Sequence, residues 1–278
     1  RRNGTSGHSS GGQVAAAAQL DRLTQCITHL DVAVRLPATL LHLKEKTNMN
    51  KYVTEFIGTF FLVLTVGLAV LSGTGMAPVA IGAALMVMVY MGGHVSGAHY
   101  NPAVSFAVLL RGKLQARDVV PYMAMQVLGA VAGAAVVYLV LGRTFAPAPG
   151  ENVSALAALL VEALYTAALC LVVLHSATAP QTTGNSFYGL AIGFTVTAAA
   201  FAGGPVSGGA FNPAVGIGPI LMSALVGGGS AGNLWLYLLG PFIGGGLAAA
   251  VYRVQQPSER TPQEALGVAT AAPQPVAR

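Results

Sequence analysis

The chain has 278 residues, of which 54% are hydrophobic and only 8% charged, with a mean hydropathy of +0.65. Soluble domains carry about 25% charged residues, so this composition excludes an ordinary water-soluble globule and makes a bilayer the natural solvent. The net charge of +5 does not mark a nucleic-acid binder, because from Tyr52 to Ala250 the basic Arg111, Lys113, Arg117 and Arg143 are matched in number by Glu55, Asp118, Glu151 and Glu162.

Residues 1–50 open with a Gly/Ser/Ala-rich stretch, "RRNGTSGHSSGGQVAAAA", a composition that favours disorder. A weak helix is expected between Leu20 and Lys46, without the apolar core of a secretory signal. The phrase "MNKYVTEFIGTFFLV" at Met49 reads as a natural start, so the first 48 residues are expected to be dispensable or a misread upstream stretch. Six apolar spans follow, at about 52–72, 77–93, 119–141, 155–175, 187–204 and 232–252, each near the roughly 20 residues that cross a bilayer. Residues 255–278, rich in Pro, Gln and Ala, are expected to be a disordered tail. Cys26 and Cys170 have no metal-ligand spacing and are assigned neither a disulfide nor a site.

The basic residues cluster between spans on one side. Lys44, Lys46 and Lys51 precede the first span, Arg111, Lys113 and Arg117 separate the second and third, and Arg253 and Arg260 follow the last. Alternating spans put all three groups on one face, which the positive-inside rule makes cytoplasmic, together with both termini. The chain is therefore expected to be a multi-pass integral protein of a bacterial-type inner or plasma membrane.

Two apolar segments, 101–110 and 212–222, are too short to span. Ten or eleven helical residues reach about 15 Å, half of a roughly 30 Å hydrocarbon core. Each begins with Asn-Pro, a strong N-cap followed by the residue favoured at the first helical position. Both are predicted as half-helices that stop inside the membrane.

The half-helices sit in a repeated phrase. "GGHVSGAHYNPAV" at 92–104 and "GGPVSGGAFNPAV" at 203–215 share Gly92/Gly203, Gly93/Gly204, Val95/Val206, Ser96/Ser207, Gly97/Gly208 and the whole run Asn101–Val104 with Asn212–Val215. Glu55 and Thr59 in "EFIGT" match Glu162 and Thr166 in "EALYT". The apolar body at 51–254 therefore reads as a duplication, with halves at about 51–142 and 155–254. Three spans per half is an odd number, so the halves are inverted and one half-helix enters from each face.

Two helix N-termini meeting at the midplane place positive partial charge there and repel cations. The amides of Asn101 and Asn212 would offer N–H donors to a passing solute, beyond the bland role of helix caps. Irregular backbone before each Asn is tolerated at that depth only where it is buried in protein or lines a wet cavity. Glu55 and Glu162 are carboxylates within apolar helices, a placement that marks function by default. His94 and His99 lack the neighbouring ligands of a metal site. The glycines at 58, 82, 129, 133, 189, 193 and 240 are read as close helix packing.

On these residues, the paired "NPA" boxes in an inverted six-span duplication with a glutamate leading each half, the chain resembles the aquaporin (major intrinsic protein) family from about Tyr52 to Tyr252. The resemblance implies an all-α membrane fold of six transmembrane helices and two re-entrant half-helices, one pore per subunit and a homotetramer. It implies pore boxes at Asn101, Pro102, Ala103, Asn212, Pro213 and Ala214, loop-holding carboxylates at Glu55 and Glu162, and pore-lining backbone at Gly97, Ala98, His99, Gly208 and Ala210. The family's outer filter falls on Ile81, Ala200, Gly209 and Val215.

Here the sequence departs from the pattern. Family members usually carry Arg where this chain has Val215. Water-selective members place His at the Ala200 position and an aromatic at Ile81, and glycerol-conducting members keep the Arg and follow it with Asp; neither signature fits "NPAVGIGP". Ala, Gly, Val and Ile would make a wider, less polar filter, without the donor fork and charge of Arg, and selectivity would fall mainly on width. The expected function is passive conduction of water and small uncharged solutes of the glycerol class, in the lipid bilayer. The alternatives are an ammonia, gas or metalloid pore with low water flux, or a non-conducting structural member of the fold. No catalytic residue, cofactor, metal or nucleic-acid partner is expected, and the chain is not read as an enzyme.

Overall fold

The computed structural model describes residues 49–226 and 229–256. The expectations for residues 1–48 and 257–278 lie outside the described residues. Within them, regular structure is entirely helical. In chain order the helices are α1 Met49–Leu71, α2 Ala77–Ser96, α3 Pro102–Leu110, α4 Ala116–Leu141, α5 Ala155–Val173, α6 Tyr188–Ser207, α7 Pro213–Leu225 and α8 Leu234–Gln255. One π turn, Leu174–Thr178, extends α5.

Six of these, α1, α2, α4, α5 with its π turn, α6 and α8, are 20 to 26 residues long and apolar enough to cross a membrane. The protein is an integral, multi-pass membrane protein. α3 and α7 have 9 and 13 residues and fall short of a span. α1 starts at Met49, within the stretch expected to be tail, and α7 runs three residues past its predicted end. α5 also outlasts its predicted end, because backbone pairing continues through the π turn.

Helix limits follow from local chemistry. Ser154 accepts the Ala157 N–H at the start of α5, as an N-cap should. α2, α4 and α6 stop at Gly97, Gly142 and Gly208, whose φ values of 87°, 63° and 90° are left-handed. Glycine adopts that conformation without the Cβ penalty that other residues meet.

Close packing uses small residues in matched pairs. Gly129 and Gly133 of α4 lie against the backbone of α1 at Phe56, Phe60 and Leu64. Gly240 and Gly244, each 111 residues later, lie against α5 at Leu159 and Ala163. Between helices in a bilayer, association rests on van der Waals fit rather than on a hydrophobic drive, so these contacts require bare backbone. The halves interlock through the short helices. α3 packs on α8 of the other half, with Gly245 over the Ala103 carbonyl, and α7 packs on α4, with Gly218 over Ala130. The large apolar side chains of Leu139, Leu156 and Leu225 point outward and are exposed, as on a surface solvated by lipid.

Candidate pore

The two re-entrant loops repeat one another in backbone as well as in sequence. Gly97, Ala98 and Tyr100 have φ of 87°, 50° and 48°, and Gly208, Gly209 and Phe211 have 90°, 68° and 49°. Left-handed backbone costs a non-glycine residue about 1–2 kcal/mol, so Ala98, Tyr100 and Phe211 must be held. Glu55 does this in the first loop: its carboxylate accepts the His99 N–H at 3.0 Å, the Tyr100 N–H at 2.7 Å and the Ser96 hydroxyl at 2.6 Å. Glu162 repeats it in the second, accepting the Ala210 N–H at 3.0 Å, the Phe211 N–H at 2.6 Å and the Ser207 hydroxyl at 2.7 Å. Both glutamates are fully buried. Hydrogen bonds to a charged acceptor contribute about 1.5–3 kcal/mol each, enough to outweigh the local strain.

A further layer secures each loop from behind. Ser96 and Ser207 also accept the N–H of the residue two on, Ala98 and Gly209. Tyr122 of α4 donates to the Ser96 carbonyl at 2.8 Å, and Tyr237 of α8 to the Ser207 carbonyl at 2.6 Å. The first loop has more. Gln126 donates to both Glu55, at 2.8 Å, and the Ser105 hydroxyl, at 2.9 Å, while Nδ1 of His99 lies 3.0 Å from the same hydroxyl. His99 thus serves with its ring as well as its backbone. In the second half Ala210 and Gly216 stand where His99 and Ser105 would be, so this network has no counterpart.

The half-helices meet end to end. Asn101 caps α3 by accepting from the Ala103 and Val104 N–H groups, and Asn212 caps α7 by accepting from Ala214. Each side-chain amide also crosses to the other half: Asn101 donates to the Phe211 carbonyl at 2.9 Å and Asn212 to the Tyr100 carbonyl at 2.8 Å. An amide nitrogen carries two hydrogens, so each Asn keeps a second donor beyond the cross-link. Pro102, Ala103, Pro213 and Ala214 are buried behind the two asparagines.

Both asparagines line a narrow cavity of about 40 Å³. Residues 98–101 and 209–212 of the two loops line it, together with aliphatic residues that include Leu62, Val66, Leu169 and Ile192. Of the residues assigned to the outer filter, Ile81, Gly209 and Val215 line this cavity. Ala200 is half-buried on α6 and is not among the lining residues, whereas Val196, one turn earlier, is. Of the backbone positions, Ala98, His99 and Ala210 face the cavity. Gly97 lines a vestibule instead, with Lys51, Lys113, Asp118 and Tyr122. Gly208 packs against Ala148. Cavity and vestibule share His99 and Val173, which places His99 at their junction.

Sequence reasoning missed Tyr122, Tyr237, Gln126 and Ser105 as supports of the loops. Ser96 and Ser207 were visible as identities of the repeat, and their constancy was the available signal. Among the described residues no three His, Cys, Asp or Glu side chains group as a metal site.

Comparison with known proteins agrees with this architecture. The family model described as Major intrinsic protein matches residues 42–252. The chain is 35% identical over 233 residues to aquaporin Z of Rhodopseudomonas palustris, covering 76% of this chain and 95% of that protein. It is 36% identical over 220 residues to glycerol uptake facilitator protein-like 6 of Lactiplantibacillus plantarum, covering 74% and 98%. Its fold is similar to the X-ray structure of the aquaglyceroporin from Plasmodium falciparum, with a TM-score of 0.70 at 23% identity over 76% of this chain and 98% of that one. The chain belongs to the major intrinsic protein family, whose members are membrane channels and not enzymes.

Proposed function

We propose that the protein is a passive channel for water and small uncharged solutes of the glycerol class, with an outer filter that is wide and apolar. The observation that carries this reading is the junction of two helix N-termini at Asn101 and Asn212 inside a cavity lined by both loops and by aliphatic residues. The converging N-termini disfavour cations, and the spare amide N–H groups donate to a neutral oxygen in passing. Asparagine amides among aliphatic residues suit solutes that have a carbon skeleton as well as hydroxyls. Relatives named for water and for glycerol uptake support the same class of solute.

The apolar filter rests on Ile81, Gly209 and Val215, which line the cavity, with Ala200 one turn past the cavity-lining Val196; none of them carries a charge or a side-chain donor. Its width, rather than chemistry, would then select among solutes. Lys51 and Lys113 at the vestibule support a cytoplasmic mouth there by the positive-inside rule, with both ends of the six-span body proposed on that side. A homotetramer with one pore per subunit is the assembly proposed.

Stopped-flow light scattering on proteoliposomes tests the reading. Under sucrose shock the vesicles should shrink faster than protein-free liposomes, and under glycerol shock they should reswell. A rate equal to that of bare lipid for both solutes would overturn it.

A further inference from the structure

Residues 143–153, between α4 and α5, form a strap across the end of the channel where Val215 lies, and its contacts are specific. The Thr144 hydroxyl lies 3.2 Å from that of Ser223 on α7. The Phe145 ring covers Gly67 of α1, beside Val137 of α4. The Gly150 N–H donates to the Val206 carbonyl at 3.0 Å. Between these anchors Pro147 and Pro149 fix φ on either side of Ala148.

Two close approaches fasten the strap to the second re-entrant loop. A Cβ on Gly208 would lie 2.6 Å from the Ala148 nitrogen and 2.7 Å from its carbonyl oxygen. A Cβ on Gly150 would collide with the Pro205 carbonyl oxygen. The strap thus backs Gly208, and the next residue, Gly209, lines the cavity. None of residues 143–153 lines it, so the strap acts through the loop and not as part of the wall. The first re-entrant loop has no such backing: a Cβ on Gly97 would meet only the ring of its own loop's His99.

We propose that this strap sets the width of the Val215 end by holding the Gly208–Gly209 backbone in place, with Gly150 as its positioning residue. The proposal rests on the channel reading above. Its logic is that the filter residues are short: with Gly209 supplying no side chain, the position of its backbone is the position of the wall. Where a wall is backbone, whatever fixes the backbone fixes the aperture.

Gly150→Ala tests this. The added methyl must displace either the strap or the last turn of α6. The strap is the softer side, because α6 is packed between α2 and α5. Lifting it frees Gly208 and lets the wall recede. In proteoliposomes the ratio of glycerol to water permeability should rise about threefold, a difference in barrier of about 0.7 kcal/mol. Ser223→Ala removes only the Thr144 contact and should raise the ratio in the same direction, by less. It decides the matter if Gly150→Ala fails to fold. A merely structural strap would lower thermal stability in detergent and leave the ratio unchanged. Unchanged ratios in the folded variants, beside a conducting wild type, would overturn the proposal while leaving the channel reading intact. A wild type that conducts neither solute would overturn both.

Discussion

Gly82 of α2 and Gly193 of α6 face each other across one helix crossing, and a Cβ on either would lie 2.5 Å from the other's carbonyl oxygen. The contact is reciprocal, and the two residues are 111 apart, the spacing of Asn101 and Asn212. A pair that contacts its own repeat equivalent lies where the two inverted halves meet. Each methyl would press on backbone, which cannot rotate away. Gly82→Ala and Gly193→Ala should each cost about 1–3 kcal/mol, as overpacking does. The expected observation is a thermal unfolding midpoint in detergent several degrees below wild type. Gly204→Ala is the control, because nothing lies within 4 Å of a Cβ there.

Asn101 and Asn212 each cap one half-helix and cross-link to the other loop. Removing either leaves a freed carbonyl and uncapped N–H groups on both sides of the junction. Each Ala variant should therefore lose about 1–2 kcal/mol, the usual worth of a cap. The two losses should not add. A double-mutant cycle is expected to give a coupling energy of about 0.5–3 kcal/mol, as residues in one hydrogen-bond network do. Additive losses would mean that the two half-helices are held independently.

Glu55→Gln and Glu162→Gln separate the two halves. An amide in place of the carboxylate presents N–H groups to backbone N–H donors and leaves at least one of them unpaired. Leaving a buried donor unpaired costs about 1–3 kcal/mol. Glu55 accepts four hydrogen bonds, one from Gln126, and Glu162 three. Gln126 can turn its amide to meet the first change, since its Oε1 has no partner. Nothing in the second half has that freedom. Glu162→Gln should therefore lose more stability and more water permeability than Glu55→Gln, measured by thermal unfolding and by stopped-flow shrinkage on equal amounts of protein.

The spans were legible because a bilayer demands apolar length, and the half-helices because Asn-Pro starts a helix wherever it stands. The carboxylates were legible because a charge within an apolar helix needs a reason. The supports behind the loops were not. Tyr122 and Tyr237 make the same bond to Ser96 and Ser207, yet they do not align in the repeat: the residue 111 positions before Tyr237 is Gln126. One side chain reaches its target from about a turn away from the other, and spacing alone cannot express that. The strap was illegible for a different reason. Its contacts are backbone to backbone at Gly150 and Gly208, and glycine in a loop looks the same whether it is crowded or free.

Val215 carries the sharpest consequence for selectivity. It is buried, follows Ala214 in the first turn of α7, and lines the cavity together with Ile81, Val66 and Val196. An arginine there would direct a charged, planar fork of donors into a stretch where the neighbouring side chains of Ile81, Val66 and Val196 are hydrocarbon. Its bulk narrows the passage, and its donors hold water that a carbon skeleton must displace. Val215→Arg is expected to cut glycerol permeability about tenfold, a barrier increase of about 1.4 kcal/mol, with water permeability reduced far less. Val215→Leu adds bulk without charge. If it matches the arginine variant, width alone selects, as the apolar filter implies. If Val215→Arg leaves glycerol flux unchanged in a protein that still folds, the narrow part of the passage lies elsewhere, and Val196 on α6 becomes the residue to replace.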